Sequence, residues 1–117
     1  MTEDVLADLI IDSIQDIKGK NIVKLDLRKL DHAPTNYFII CEGESNTQVR
    51  AITQNINKRI KEELGILPNH TEGQSDSRWF LVDYFDMVVH VFYPETRTFY
   101  DLENLWSDAE VQVYEDL

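Results

Sequence analysis

The first apolar positions of the chain, Val5, Leu6, Leu9, Ile10, Ile14 and Ile17, recur at steps of three and four residues, the spacing of one stripe along a helix. Thr2 stands where an N-cap belongs, Glu3 and Asp4 suit the positive end of the helix dipole, and Lys18-Gly19 supplies a stop. A helix is predicted from about residue 3 to about residue 18. The period then drops to two. In NIVKLDL, Ile22, Lys24 and Asp26 alternate with Val23, Leu25 and Leu27, which predicts a half-buried strand, and after the turn KLDHAPT the run NYFIICEG reads as a strand buried on both faces.

Ser45 and Gln48 have capping-box spacing ahead of a second helix, whose Val49, Ile52, Ile56, Ile60 and Leu64 form an apolar stripe ended by Gly65. ILPNHTEGQSDS reads as a polar connection. RWFLVDY and MVVHVFY read as antiparallel strands joined by a tight turn at Phe85-Asp86. Pro94 stops the second of these and starts a helical turn in PETRTFY; DLENLWSDAE is predicted to be helical and VQVY a short last strand. Helices that precede or separate pairs of strands define an α/β class: a mixed β-sheet with packed helices in a single compact domain over residues 1–117.

Composition adds limits. With 43% hydrophobic residues the chain can build a core, and its one cysteine, Cys41, cannot close an intrachain disulfide. The opening MTEDVLADLIIDSIQD carries acids where a secretory signal needs basic residues, and no apolar run approaches the roughly 20 residues that span a bilayer. A soluble cytoplasmic protein with no membrane association is expected. A formal charge of -11 repels phosphate backbones, so little direct nucleic-acid contact is expected. After Arg97 no basic residue follows, whereas Asp101, Glu103, Asp108, Glu110, Glu115 and Asp116 do; such a surface suits a basic protein partner.

Candidate chemistry is sparse. Asp83, Asp86 and His90 are the residues that could serve metal binding or acid-base work, but the aspartates flank the turn and His90 lies about 13 Å farther along a strand at about 3.3 Å per residue. In CEGESNTQ a strand passes through Gly43 into a capped helix, a geometry that can offer N–H groups to phosphate, yet Glu42 and Glu44 oppose an anion and no phosphate-loop pattern is present. Lys58 and Arg59 fall on a solvated helix face, with a weak phosphate-contact alternative. Cys41 sits in an apolar run as a small core residue, and the three histidines have no metal-ligand spacing. Neither a metal nor a cofactor is expected.

What stands out is aromatic. Nine of the chain's twelve aromatic residues lie between Arg78 and Trp106. Phe80, Val82 and Tyr84 alternate with Trp79, Leu81 and Asp83, and Val88, His90 and Phe92 with Met87, Val89 and Val91. Both faces of these strands are therefore rich in large side chains. Either a second layer, with Tyr100, Leu105 and Trp106 contributing, covers the face away from the main helices, or part of that face meets a partner.

The order Glu72-Gly73, Trp79, Asp83, Asp86, Val89-His90-Val91-Phe92, Arg97, Tyr100, Leu102-Glu103 and Leu105-Trp106, with LIIDSIQDIKGKNIVKLDL and NYFIICEGESNTQVRAI before it, resembles the bacterial ribosomal silencing factors, the Iojap-related family also found in mitochondria and chloroplasts. The resemblance implies a nucleotidyltransferase-like fold without catalytic acids and a protein that acts by binding rather than as an enzyme. It implies docking on the large ribosomal subunit through a ribosomal protein at the intersubunit face, L-fourteen, which represses translation by blocking the small subunit when nutrients are short. For organelle relatives it implies a role in large-subunit maturation. A nucleotidyltransferase-like nucleotide-binding enzyme is the alternative. Trp79, Tyr84, Arg97, Tyr100, Leu105 and Trp106 are the candidate partner-binding residues, with Asp83, Asp101 and Glu103 as polar contacts. Tyr100 and Trp106 can equally be core, and Arg97 can pair internally with Glu103 or Asp101. A monomer and a homodimer are both open for the free chain. Where the family usually carries glycine this chain has Phe85, so the turn is rearranged or Phe85 adds an exposed contact.

Overall fold

The structure, a computed structural model, describes residues 3–73 and 75–117. They form helix α1 (Glu3–Asp16), strands β1 (Lys20–Asp26) and β2 (Tyr37–Glu42), helix α2 (Asn46–Leu64), strands β3 (His70–Gly73), β4 (Trp79–Asp83) and β5 (Met87–Phe92), helices α3 (Pro94–Tyr100) and α4 (Leu102–Leu105), and strand β6 (Glu110–Val113). One mixed sheet results, in the order β3-β4-β5-β2-β1-β6. Within it β2 and β5 run parallel and every other neighbour pair is antiparallel. This is the expected α/β architecture; the cap expected at Thr2 lies outside the described residues.

Strand parity divides the core in two. Ile39, Cys41, Val82, Tyr84, Met87, Val89 and Val91 face α1 and α2, where they meet Leu6, Ile10, Ile14, Val49, Ile52, Ile56 and Ile60. Phe38, Ile40, Val88 and Phe92 point the other way, toward Leu25, Leu27 and Ala109, with Trp79, Leu81, Leu102 and Trp106 packed at the margin. Removing a side chain such as Ile39 or Phe92 from water contributes about 1.5–3 kcal/mol. Both faces thus need cover, and the second receives it from the short α3–α4 corner.

Local chemistry sets the helix ends. Ser45 Oγ accepts from the Gln48 amide at 3.1 Å, as the capping box predicts, but the Gln48 side chain reaches back to the Glu44 amide (2.6 Å). Its Nε2 also donates to the Ile17 and Lys18 carbonyls at 2.9 and 3.1 Å, which joins the end of α1 to the start of α2. Helix α1 ends two residues earlier than the pattern predicts, because Lys18 turns left-handed (φ 61°) and the Gly19 amide closes on the Ile14 carbonyl at 3.0 Å. A Cβ at Gly19 would collide with Ile14 Cγ2, so glycine is required there.

Two predicted elements differ from the structure. His70–Gly73, read as part of a polar connection, is the edge strand β3. All four of its side chains are exposed, so its sequence lacks the alternation that marks a strand. The helix predicted over DLENLWSDAE is the single turn α4, cut from α3 by Asp101 at φ 48°.

The turn between β4 and β5 keeps a tight geometry. The Tyr84 amide donates to the Met87 carbonyl at 2.8 Å, and Phe85 takes φ 73°. Asp83 Oδ1 accepts from the Phe85 amide at 2.7 Å and Thr35 Oγ1 donates to its carbonyl at 3.0 Å, so the strained residue is held from both sides. Left-handed backbone costs a side-chain-bearing residue about 1–2 kcal/mol, against about 0.5–1 kcal/mol of extra chain entropy for glycine. Phe85→Gly should therefore raise the unfolding free energy by roughly 0.5–1 kcal/mol in urea titration. A lowered midpoint would mean that the ring supports the fold.

Candidate interaction face

The aromatic side chains that cover the second sheet face form a connected series. Trp79 stacks on Phe92, with ring centroids 5.1 Å apart, and meets Tyr100 at 4.5 Å; Tyr100 meets Phe99 edge-on at 5.1 Å. Phe92 is fully buried and Phe99 is 80% exposed, so these contacts lead from core to solvent. Leu105 on α4 is 69% exposed, and Trp106 anchors that helix by packing edge-on to Phe38 at 6.2 Å. A shallow hollow of about 580 Å³ adjoins the ring series between Trp79, Leu81 and β3.

Arg97 fixes the α3–α4 corner from behind. Buried, it donates from Nη1 to the Asn21 carbonyl (2.6 Å) and Glu42 Oε1 (3.0 Å), and from Nε and Nη2 to the two carboxylate oxygens of Glu103 (3.3 and 3.2 Å). A buried guanidinium tolerates loss of water only with such charged partners. Arg97 is thus engaged internally, with Glu103 as one of the two partners its sequence allowed, and the corner it holds presents Tyr100 and Leu105.

The other candidates separate. Tyr84 faces the helix layer, where its hydroxyl donates to Asn57 Oδ1 at 3.0 Å, and burial pushes its phenol up to about 12. It lies on the opposite sheet face from Trp79. Asp83 is half-buried and holds the Phe85 turn, whereas Asp101 is exposed between α3 and α4. Trp79 and Tyr100 touch, and Trp106 packs on the same sheet face as Trp79; Asp101 and Glu103 instead line a separate hollow with Arg97, Asn21 and Glu42, Leu105 stands exposed on α4, and Tyr84 and Asp83 do not join the ring series. Phe99 was missed. Its signal was helical spacing: if Arg97 and Tyr100 turn toward the sheet, Phe99 cannot.

Asp83, Asp86 and His90 do not converge. His90 is buried, its Nδ1 accepting from Trp79 Nε1 at 3.2 Å and its ring set edge-on to Phe38 at 4.6 Å. Nε2 therefore carries the proton of the neutral ring, and it has no hydrogen-bond partner among the described residues. Burial lowers the His90 pKa to about 4. Cys41 is fully buried and its thiol is pushed up to about 12, as a core residue requires.

Neither phosphate-contact alternative gains support. The Gly43 amide donates to the Phe92 carbonyl, the Glu44 amide to Gln48, and the Gln48 and Val49 amides to Ser45. Arg59 is held by Asp12, Asp16 and Glu63 at 2.6–2.7 Å, joining α1 to α2. Among the described residues no group of three or more His, Cys, Asp or Glu could hold a metal ion, and no helix is long and apolar enough to cross a membrane.

These features define a single-domain α/β protein whose distinctive face is a graded aromatic surface on a six-stranded mixed sheet. The chain belongs to the family of ribosomal silencing factors during starvation, whose family model matches residues 2–117. It is 37% identical over 109 residues to a ribosomal silencing factor of Halalkalibacterium halodurans, covering 93% of this chain and 92% of that one. The crystal structure of protein CV0518 from Chromobacterium violaceum superposes with a TM-score of 0.85 at 38% identity, covering 92% of this chain and 88% of that one. A mouse relative named mitochondrial assembly of ribosomal large subunit protein 1 is 35% identical over 75 residues, 62% of this chain and 33% of that one.

The His90 environment makes a pH dependence testable. The unfolded chain binds a proton at this site near its ordinary value of 6.5, the folded chain only near 4. This component of stability is complete above about pH 6.5 and is lost as pH falls toward about 4, so acidifying from about pH 7.5 to about pH 5 should cost about 2 kcal/mol. Urea unfolding of His90→Phe at those two pH values should show a smaller acid loss than the wild-type chain. Equal losses would exclude His90 as their source.

Proposed function

We propose that the chain is a translational repressor that binds the large ribosomal subunit at its intersubunit face and thereby blocks joining of the small subunit. The observation that carries this reading is the aromatic series itself, anchored in the core at Phe92 and open to water at Phe99 and Tyr100. Large apolar side chains held rigidly at one end and exposed at the other lose little conformational freedom on binding, which is what an interface anchor needs. Glu95 and Asp101 stand exposed beside them with Glu103 half-buried, and the chain carries a formal charge of -11. A basic ribosomal protein, L-fourteen by resemblance, suits that field; ribosomal RNA does not, so contact is mainly with protein.

Trp79, Tyr100, Leu105 and Trp106 supply the contact in this scheme and Asp101 and Glu103 its polar margin, while Arg97 holds the corner. Asp83 and Tyr84 maintain the strands from the turn and from the helix side. Inhibition follows from occupancy alone: a bound factor fills volume that the second subunit requires, with no bond made or broken. Action in the cytoplasm and a related part in large-subunit maturation, to which the mouse relative's name refers, fit the same contact. The enzyme alternative, a nucleotidyltransferase-like nucleotide binder, lacks comparable support, since the Gly43 and Glu44 amides and Arg59 already have internal partners.

Co-sedimentation with isolated large subunits tests the assignment. Tyr100→Ala and Leu105→Ala should each weaken binding by about 1–3 kcal/mol while the far-ultraviolet circular dichroism stays that of the wild-type chain. Folded variants that bind as tightly as wild type would place the contact elsewhere, and magnesium-dependent nucleotide binding without subunit association would favour the enzyme.

A further inference from the structure

Phe85 has no part in the face described above, and the fold gives no reason for a ring at its position. Its backbone is strained at φ 73°, its side chain is 66% exposed, and its amide's hydrogen bond to Asp83 and the one its carbonyl accepts from Thr35 hold the turn so that the ring projects outward. Beside it lies a hollow of about 400 Å³ on the α1–α2 side of the sheet. Leu6, Ile66, Tyr84 and Met87 form its apolar floor, and Leu67, next along the chain from Ile66, is 64% exposed. Strand β5 runs from this turn at Met87 to Phe92, where the α3–α4 corner begins, so the two apolar surfaces occupy opposite ends and opposite faces of the sheet.

The rim of the hollow selects its occupant. Glu3 and Asp86 line it and no Lys or Arg does. A second copy of the chain would bring the same carboxylates, and another formal charge of -11, against the first. Nucleic acid would bring phosphates to the same acids. An apolar side chain flanked by Lys or Arg satisfies both floor and rim.

We propose that the Phe85 hollow is a second docking site, which takes a basic polypeptide segment of the large subunit bearing one large apolar side chain. The proposal rests on the large-subunit reading above. Two separated contacts would fix the orientation of the bound chain, and the second would raise affinity through effective concentration.

Phe85→Gly and Asp86→Lys separate binding from folding, because the first substitutes the residue best suited to φ 73° and the second alters an exposed side chain. In co-sedimentation with isolated large subunits each should weaken binding about tenfold. Asp86→Lys should also flatten the salt dependence, and Phe85→Gly combined with Tyr100→Ala should lose the product of the two single effects, as distant contacts do. If both turn variants bind like wild type while Tyr100→Ala binds weakly, the second site is wrong and the first stands. Failure of the wild-type chain to sediment with large subunits removes both. A photo-crosslinker at position 67 should label a basic protein of the subunit; labelling of ribosomal RNA, or a wild-type dimer that Phe85→Gly converts to monomer, would overturn the stated occupant.

Discussion

The parallel pair β2–β5 is the constraint on which the rest depends. Its strands lie in the middle of the sheet, and Ile39, Ile40, Val89 and Phe92 are buried on alternate faces, so neither face can be left to water. Helices α1 and α2 cover one side with a continuous aliphatic layer. Among the described residues there is no third long helix for the other, and large rings take its place: Phe38, Trp79 and Trp106 reach across an area that α3 and α4 alone are too short to close. An incomplete second layer leaves its outermost rings wet, and the candidate interaction face follows from that shortage.

Buried polar groups keep this layer in one arrangement. Arg97 connects α3 to β1 at Asn21, to β2 at Glu42 and to α4 at Glu103, and His90 fixes the indole of Trp79 from the neighbouring strand. Both groups require their partners at low dielectric, so the corner cannot shift without leaving a charge or a donor uncompensated. The corner therefore presents Trp79 and Tyr100 rigidly, which is what the proposed function requires.

Much of this was legible in the sequence. The capping box at Ser45 and Gln48, the stripe from Val49 to Ile60 and the alternation from Met87 to Phe92 each carry their periodicity locally, and the structure follows them. Strand β3 was not legible, because HTEG is defined by its backbone pairing with β4 and carries no alternation of its own. Arg97 was legible only in part: Glu103 lies six residues away, whereas Glu42 and Asn21 lie 55 and 76 residues away, and no local pattern reports such contacts. The division of the aromatic residues between core and surface depends on how far α4 extends, which Asp101 decides by turning left-handed. At Phe85 the tight turn holds a left-handed residue, and the ring stands 66% exposed; neither follows from a local pattern.

In the proposed function the bound chain excludes the second subunit by occupancy. Sucrose-gradient sedimentation of mixed large and small subunits, with increasing amounts of the chain and no added nucleotide, tests it most directly. Under exclusion by occupancy, joined ribosomes fall and free subunits rise in proportion to the chain bound to the large subunit. Joined ribosomes that persist while carrying the chain at saturation would contradict it.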